Sequence, residues 1–480
     1  MQIGSLVKSA KMTTENIYGA LSEKRVLVAG AGVTGLAVAR ALIEKGAEVT
    51  FTDEKVEAVD GFEVIHPSNV SITEFDALMV SPGWREDHVI VSAARKSGVT
   101  ILNEIDFAWS LKVEKAPAQK WLALTGTNGK TTTVEMVAHI MTAAGLKVRA
   151  CGNVGTTVIE TITGSEKYDY LILELSSFQL HWLSDAQFTS TAILNIADDH
   201  IDWHGSFDEY ARAKVSILDK STTAILNGDD GEVVGRTSHW LGRKIFYSLD
   251  TPGPGELGVV EELLVDRAFV ADVQEAALIA ELTEILPTVP HHISNSLAAA
   301  GLASTVGVSR EVIREALKSF KPGRHRAEEI ADVNGVKWID DSKATNPHAA
   351  AASILSHFSV IWIAGGLAKG AQMKPLVDRT WSRLKAVILI GEDRELIAAA
   401  LRESAPDLPL HFIDLPDGYG KGSQNNLFME SIVRCADEIS TEGDVVLLAP
   451  ACASMDQFNS YGDRGERFAQ AVKDVVINDH

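Results

Sequence analysis

The sequence predicts an α/β protein of three successive domains. An N-terminal Rossmann-like unit precedes a central P-loop-type nucleotide-binding unit with a mostly parallel sheet, and a C-terminal Rossmann-like unit follows. Three observations carry this expectation. Gly30-x-Gly32-x-x-Gly35 sits between two apolar strand-like runs. Gly126-Thr127-Asn128-Gly129-Lys130-Thr131 sits between an apolar run and a helical one. "VIWIAGG", "AVILIGE" and "DVVLLAPA" then follow as apolar strands separated by helical stretches. A chain of 480 residues is too long for one core. Breaks at "LKVEKAPAQK" and "SFKPGRHRAEE" divide it into 1–115, 116–321 and 322–480.

The first unit opens strand–turn–helix–strand, and Asp53 ends the second strand. With its glycines this is a full dinucleotide fingerprint, acid included. The second unit starts with the apolar strand Trp121–Leu124, and the helical period from Thr133 to Met141 puts Val134, Val137, Ala138 and Met141 on one face. The glycine loop between them is two residues shorter than G-x-x-x-x-G-K-[ST], yet it aims backbone N–H groups and a helix dipole at one point. Lys130 would reach the terminal phosphates of ATP or GTP, and the Thr131 hydroxyl would ligate Mg²⁺.

Glu174 ends the strand in "YDYLILELS", a position suited to a Mg²⁺ ligand. After the strand "TSTAILNIA", Asp198, Asp199, His200, Asp202 and His204 cluster. Ser206 with Glu209 reads as a capping box, so a helix starts at Phe207. Lys214 falls about two turns into it among apolar neighbours, where a lysine ordinarily snorkels to water. "DTPGPGELG" is a surface loop, and a helix carrying Asn295 in its first turns follows Pro290.

In the third unit Arg324, His325 and Arg326 stand together, suited to a phosphate or an acidic intermediate. Asp340, Asp341, Lys343, Thr345 and Asn346 follow a strand and precede a helix begun by Pro347. Lys369 lies on a second glycine-rich turn, and Ser454 directly follows a strand. In open α/β sheets ligands bind at such strand C-termini.

Formal charge is −21, with no long basic run. Nucleic acid and anionic membranes are therefore excluded as expected partners. Cys151, Cys435 and Cys452 are too widely spaced to suggest a disulfide framework or a zinc site. No apolar run is long enough to cross a bilayer, and the N-terminus lacks a signal-peptide core, so a cytoplasmic protein is expected.

Taken in order, G-T-N-G-K-T-T, E-L-S-S-F-Q-L, D-D-H-x-D-W-H-G, A-K-V-S-I-L, D-S-K-A-T-N-P and P-A-C-A-S-M-D-Q-F resemble the Mur ligase family over almost the whole chain. The last two motifs are similar to the branch that adds D-glutamate, and the D-N-P-R run of ligases adding a diamino acid is absent. The resemblance implies ATP-driven amide formation through an acyl phosphate, with D-glutamate joined to UDP-N-acetylmuramoyl-L-alanine in peptidoglycan precursor synthesis. It implies that the first domain binds the UDP moiety rather than NAD, through Thr34, Asp53, Ser81 and Gly83. Asn153, Ser176, Gln179 and His200 would meet the rest of that substrate. Gly126, Thr127, Asn128, Gly129, Lys130, Thr131, Thr132, Asn295, Arg326 and Asp341 would bind ATP. Thr131, Glu174, His200 and a carbamate formed from CO₂ on Lys214 would hold Mg²⁺ at two sites. Lys343, Thr345, Lys369, Ser454 and Phe458 would surround D-glutamate. Lys130, Glu174, His200, Lys214 and Lys343 form the implied catalytic set. A monomer is expected, and ATP should draw the second and third domains together. Two departures stand out: His292 replaces an asparagine of the family's H-N-x-x-N, and Leu367 replaces the aspartate of G-G-D-G-K-G.

Three other readings compete. A sibling Mur-type or folylpolyglutamate-type ligase would use another amino acid. An NAD-dependent oxidoreductase would use the first fingerprint but leave Lys130 idle. A nucleotide-gated scaffold would leave all the acidic and basic site residues idle.

Overall fold

The computed structural model describes Tyr18 and residues 21–272, 274–415 and 426–478. Three sheets follow one another along the chain. The first joins β1 (Arg25–Ala29), β2 (Glu48–Thr52), β3 (Ala58–Val59), β4 (Phe62–Ile65), β5 (Ala77–Val80) and β6 (Thr100–Asn103) in the order 3-4-2-1-5-6. All its pairs are parallel except the short β3–β4 ribbon. β1 and β5 are apolar on both faces because helices cover both sides, as a parallel sheet requires. The chain reverses direction across the sheet between β1 and β5, and Thr34, Asp53, Ser81 and Gly83 all follow strand ends there or open the first helix.

The second sheet contains β7 (Lys120–Thr125), β8 (Val148–Gly152), β9 (Tyr170–Glu174), β10 (Ser190–Ile193), β11 (Thr223–Asn227), β12 (Arg243–Tyr247), β13 (Leu257–Val260), β14 (Leu263–Asp266) and β15 (Ala277–Glu281). Its order is 15-14-13-12-11-10-7-9-8, parallel from β13 onward and antiparallel at the β13–β15 edge. β7 lies between β9 and β10, so the chain switches sides at the strand that feeds the glycine loop. The helix after that loop runs Lys130–Ala143 and buries Met136 and Ile140 as well as Val134, Val137 and Met141. It is apolar on more than one face because the helices Pro290–Thr305 and Arg310–Ser319 pack against it in addition to the sheet.

The third sheet joins β16 (Glu328–Val333), β17 (Val336–Asp340), β18 (Val360–Gly365), β19 (Leu384–Ile390), β20 (Leu410–Phe412) and β21 (Val445–Leu448) in the order 16-17-21-18-19-20. Only β16–β17 is antiparallel. β21 returns to lie between β17 and β18, which brings three loops to one end of the sheet.

Candidate active site

The glycine loop is held from several sides. Asn195, after β10, accepts the Asn128 N–H through Oδ1 at 2.7 Å and donates Nδ2 to the Asn128 carbonyl at 3.1 Å. The Thr127 hydroxyl lies 2.8 Å from the Tyr210 hydroxyl and accepts the Ala197 N–H at 2.9 Å. Gly129 has φ +80°, and a Cβ there would meet Asn295 Oδ1 at 2.5 Å, so only glycine lets Asn295 approach the loop.

Two lysines converge on the same backbone. Lys130 Nζ donates to the carbonyls of Gly126 and Thr127, each at 2.9 Å. Lys214 Nζ donates to the Gly126 carbonyl at 2.7 Å and lies 4.7 Å from the centre of the Tyr210 ring. The 210/214 spacing places both on one helix face. Lys214 does not snorkel; it is 2% exposed. The helix Phe207–Val215 turns it inward, burying Tyr210, Ala211 and Ala213 beside it. Burial holds the Lys214 amine well below the usual lysine pKa, and Lys130 pushes it the same way while Asp199 and Glu174 oppose. Burial likewise lowers Lys130, against Glu174 and Asp199.

Glu174 is buried at the end of β9. Its Oε1 accepts from Asn153 Nδ2 at 3.0 Å, while Oε2 has no partner. A buried carboxylate oxygen left unpaired is costly, and the atom fits a cation ligand. His200 has φ +54°, a strained value for a non-glycine residue, in the turn before Ile201–His204. Its side chain is 44% exposed, and partial desolvation, with Lys214 and Lys130 acting in the same direction, lowers its pKa against the pull of Asp199. These causes couple His200, Lys214, Lys130, Glu174 and Asp199 as one electrostatic group.

The capping box foreseen at Ser206 is only half formed. Ser206 Oγ accepts the Glu209 N–H at 3.2 Å, but the Glu209 carboxylate pairs with Arg212 instead. Ser176 and Gln179 make a complete capping box for Ser177–Trp182, with Gln179 Oε1 taking the Ser176 N–H and hydroxyl. An aromatic group missed in the sequence lies beside them: Phe178 packs on His200, Trp203 and His204. Trp203 Nε1 donates to the Gly83 carbonyl at 2.8 Å, tying the acid–histidine stretch to the first unit. Asp53 accepts N–H groups from Ala31, Lys55 and Val56; burial opposes its ionisation, but these bonds outweigh that and hold its pKa low.

The third unit reaches the loop directly. Asn346 Nδ2 donates to Asn128 Oδ1 at 2.9 Å, and Asn128 Nδ2 donates to His348 Nδ1 at 3.0 Å. Arg326 Nη1 lies 3.7 Å from Glu135 Oε2, on the helix that begins at Lys130. The three neighbours Arg324, His325 and Arg326 do not form one anion cradle. Arg324 pairs with Glu328 and Glu466, and His325 Nδ1 donates to buried Asp340 at 2.6 Å. His325 (φ +64°) and Ala327 (φ +49°) both take left-handed backbone conformations. Asp341 is buried, which pushes its carboxyl up to about 6. Lys343 is lowered by burial and then by Arg326.

Leu367 and Ala453 form an antiparallel backbone bridge that joins the loops after β18 and β21. Ser454 is buried beside it, Thr345 is half-buried, and Lys369 is exposed with φ +50°. The Phe458 ring is 1% exposed in the apolar core of this unit, near Phe428. His292 is buried with its ring stacked on Phe320, and burial pushes its pKa down to about 4.

Two family descriptions match the chain: the Mur ligase middle domain over residues 124–303, and the Mur ligase glutamate ligase domain over residues 325–452. The chain is 44% identical over 475 residues to the UDP-N-acetylmuramoylalanine–D-glutamate ligase of Streptomyces avermitilis, covering 94% of this chain and 98% of that one. It is 43% identical over 472 residues to the enzyme of the same name from Thermobifida fusca, covering 94% and 99%. Among solved structures, a pseudomurein peptide ligase type C from Methanothermus fervidus superposes with TM-score 0.58 at 18% identity, covering 94% of this chain and all of that one. UDP-N-acetylmuramate–alanine ligase from Thermotoga maritima superposes with TM-score 0.55 at 18% identity, covering 94% and 99%. These two likenesses concern the fold alone.

Proposed function

The chain belongs to the Mur ligase family, and from that premise we propose that it joins D-glutamate to UDP-N-acetylmuramoyl-L-alanine at the expense of ATP, in peptidoglycan precursor synthesis. The three units are 1–115 for the UDP substrate, 116–321 for ATP and 322–480 for ATP and the amino acid. The enzyme acts as a cytoplasmic monomer; no helix among the described residues is long and apolar enough to cross a membrane.

The observation that carries this reading is the unpartnered Glu174 Oε2 beside Lys130 and Lys214, two buried amines that share one loop carbonyl. The substrate carboxylate attacks the γ-phosphorus of ATP, the bond to ADP breaks, and an acyl phosphate forms. The neutral amine of D-glutamate then attacks the acyl carbon, phosphate leaves, and the amine proton passes to solvent. Bound Mg²⁺ would supply charge neutralisation between the phosphates and the attacking carboxylate.

The residues present fit that ion. Thr131 offers a hydroxyl, Glu174 a free carboxylate oxygen and His200 an imidazole whose charged form is disfavoured by partial desolvation and by the two lysines. Burial disfavours the charged form of the Lys214 amine, and the neutral amine would react with CO₂ to give a carbamate and a proton, placing an oxygen ligand where a lysine cation would otherwise stand. These four groups account for two Mg²⁺ sites. Lys130 leaves its own loop carbonyls to meet the terminal phosphates, and the N–H groups of Gly129 to Thr132 line their oxygens. Asn295, Arg326 and Asp341 contact ATP. Lys343, Thr345, Lys369 and Ser454 surround D-glutamate, with Phe458 contributing backbone from its buried position. Thr34, Asp53, Ser81 and Gly83 take the UDP moiety; Asn153, Ser176, Gln179 and His200 take the muramoyl-alanine part.

The test is phosphate release with ATP and UDP-N-acetylmuramoyl-L-alanine, scanned over amino acids. Release with D-glutamate alone supports the reading. Release with a different amino acid moves the enzyme to a sibling ligase, and none with any amino acid overturns the proposal.

A further inference from the structure

The helix Tyr461–Val472 packs behind the loops that follow β17 and β21. Residues 461, 464 and 465 share one of its faces, as positions i, i+3 and i+4 do. Each meets a different part of the candidate site. The Tyr461 ring centre lies 4.1 Å from Lys343 Nζ, a cation–π distance. The Tyr461 carbonyl accepts from Ser342 Oγ at 2.8 Å. Arg464 Nε donates to that same Oγ at 2.9 Å. Arg464 Nη2 donates to the Ser342 carbonyl at 3.0 Å, and both terminal nitrogens donate to the Cys452 carbonyl at 3.3 Å. Gly465 carries no side chain, and a Cβ there would lie 2.2 Å from His325 Nδ1 and 2.7 Å from Asp340 Oδ2.

Arg464 is unusual in its surroundings. It is 1% exposed and, among the described residues, makes no ion pair with a carboxylate. A buried guanidinium satisfied only by carbonyls and a hydroxyl is expensive to keep. What it gains is a tie between two loops: Ser342 precedes Lys343, and Cys452 precedes Ser454 by two residues. Its charge also lies in a low-dielectric interior, where it favours a nearby anion.

We propose that this helix face sets the amino-acid pocket, with Tyr461 aiming the Lys343 ammonium and Arg464 binding the Ser342 and Cys452 loops into one frame for a dicarboxylate substrate. Both are positioning residues, since neither touches the reacting atoms. The inference rests on the D-glutamate reading above.

The full-length enzyme tests it through KM for each substrate in phosphate release. Tyr461→Leu removes the ring face; Tyr461→Phe keeps it. Arg464→Lys keeps a charge but cannot bridge both loops. Expected for Tyr461→Leu and Arg464→Lys is a rise of roughly tenfold in KM for D-glutamate, with KM for ATP and for the UDP substrate within about twofold of wild type. Tyr461→Phe should behave as wild type. Equal changes in all three KM values, a defect in Tyr461→Phe as large as in Tyr461→Leu, or no change in KM for D-glutamate would overturn the proposal. Should Arg464→Lys fail to fold, the Tyr461 pair decides. Wild-type enzyme without D-glutamate-dependent release would overturn the underlying reading and this one together.

Discussion

Replacing Lys214 by methionine separates the charge of this side chain from its packing. Methionine keeps most of the unbranched apolar stem, one atom shorter, but it neither donates a hydrogen bond nor reacts with CO₂. In the structure the buried amine gives one hydrogen bond, 2.7 Å to the Gly126 carbonyl, and makes no ion pair among the described residues. Losing that bond costs about 1 kcal/mol. Against this, removing a buried ionisable group relieves about 1.4 kcal/mol for each unit by which burial depresses its pKa. The two effects oppose, and the sign of the net change follows pH. The amine pKa in the folded chain lies below the unfolded value of about 10.4. Between the two, the unfolded chain binds one proton more, so wild-type stability climbs as pH rises and levels off above about 10.4. Methionine has no such slope. The variant should therefore gain on wild type most near neutral pH and lose that advantage as pH approaches about 10. Activity should collapse at neutral pH. If the carbamate holds charge worth about 4 kcal/mol to the transition state, the rate falls about 1000-fold. Thermal melts from neutral pH to about 10 in CO₂-free buffer, alongside D-glutamate-dependent phosphate release, measure both. Added short carboxylic acids should restore part of the activity by standing in for the lost carbamate. Full activity in the variant would refute the carbamate, and melts parallel to wild type at every pH would refute the burial argument.

Two further substitutions follow from the geometry. Glu174→Gln keeps an acceptor for Asn153 but removes the charge at the unpartnered oxygen. The turnover number should fall about 100-fold, for a loss of about 3 kcal/mol in the transition state, while melting shifts little; near-normal turnover would remove Glu174 from the metal site. Gly465→Ala forces a Cβ against His325 and Asp340, where 2.2 and 2.7 Å are far inside contact distance. It should cost about 1–3 kcal/mol by overpacking. Gly462→Ala on the same helix, with its nearest neighbour at 3.5 Å, serves as the control that should melt no lower than wild type. Equal melting of the two variants would contradict the close approach.

Local chemistry made much of this protein readable in its sequence. The three-unit α/β plan follows from apolar runs and glycine turns, because strand burial and phosphate-binding turns depend on residues a few positions apart. Lys130, Thr131 and Glu174 could be picked out for the same reason: each sits at a strand or helix terminus where its type has one common use. The inward course of Lys214 could not be picked out, since a lysine amid apolar residues usually reaches water and only the packing of Tyr210 and the glycine loop denies it a path. The separation of Arg324, His325 and Arg326 was hidden as well, because it depends on the distant partners Glu466, Asp340 and Glu135 that each one meets. The roles of Asn195, Asn346, His348 and Tyr461 belong wholly to tertiary structure. Asn128 meets Asn346, 218 positions away, and Arg464 meets Ser342, 122 positions away. The sequence by itself determined which side chains stand at strand ends. Only the three-dimensional packing decided which of those ends face one another, because that depends on strand order and helix placement rather than on any local period.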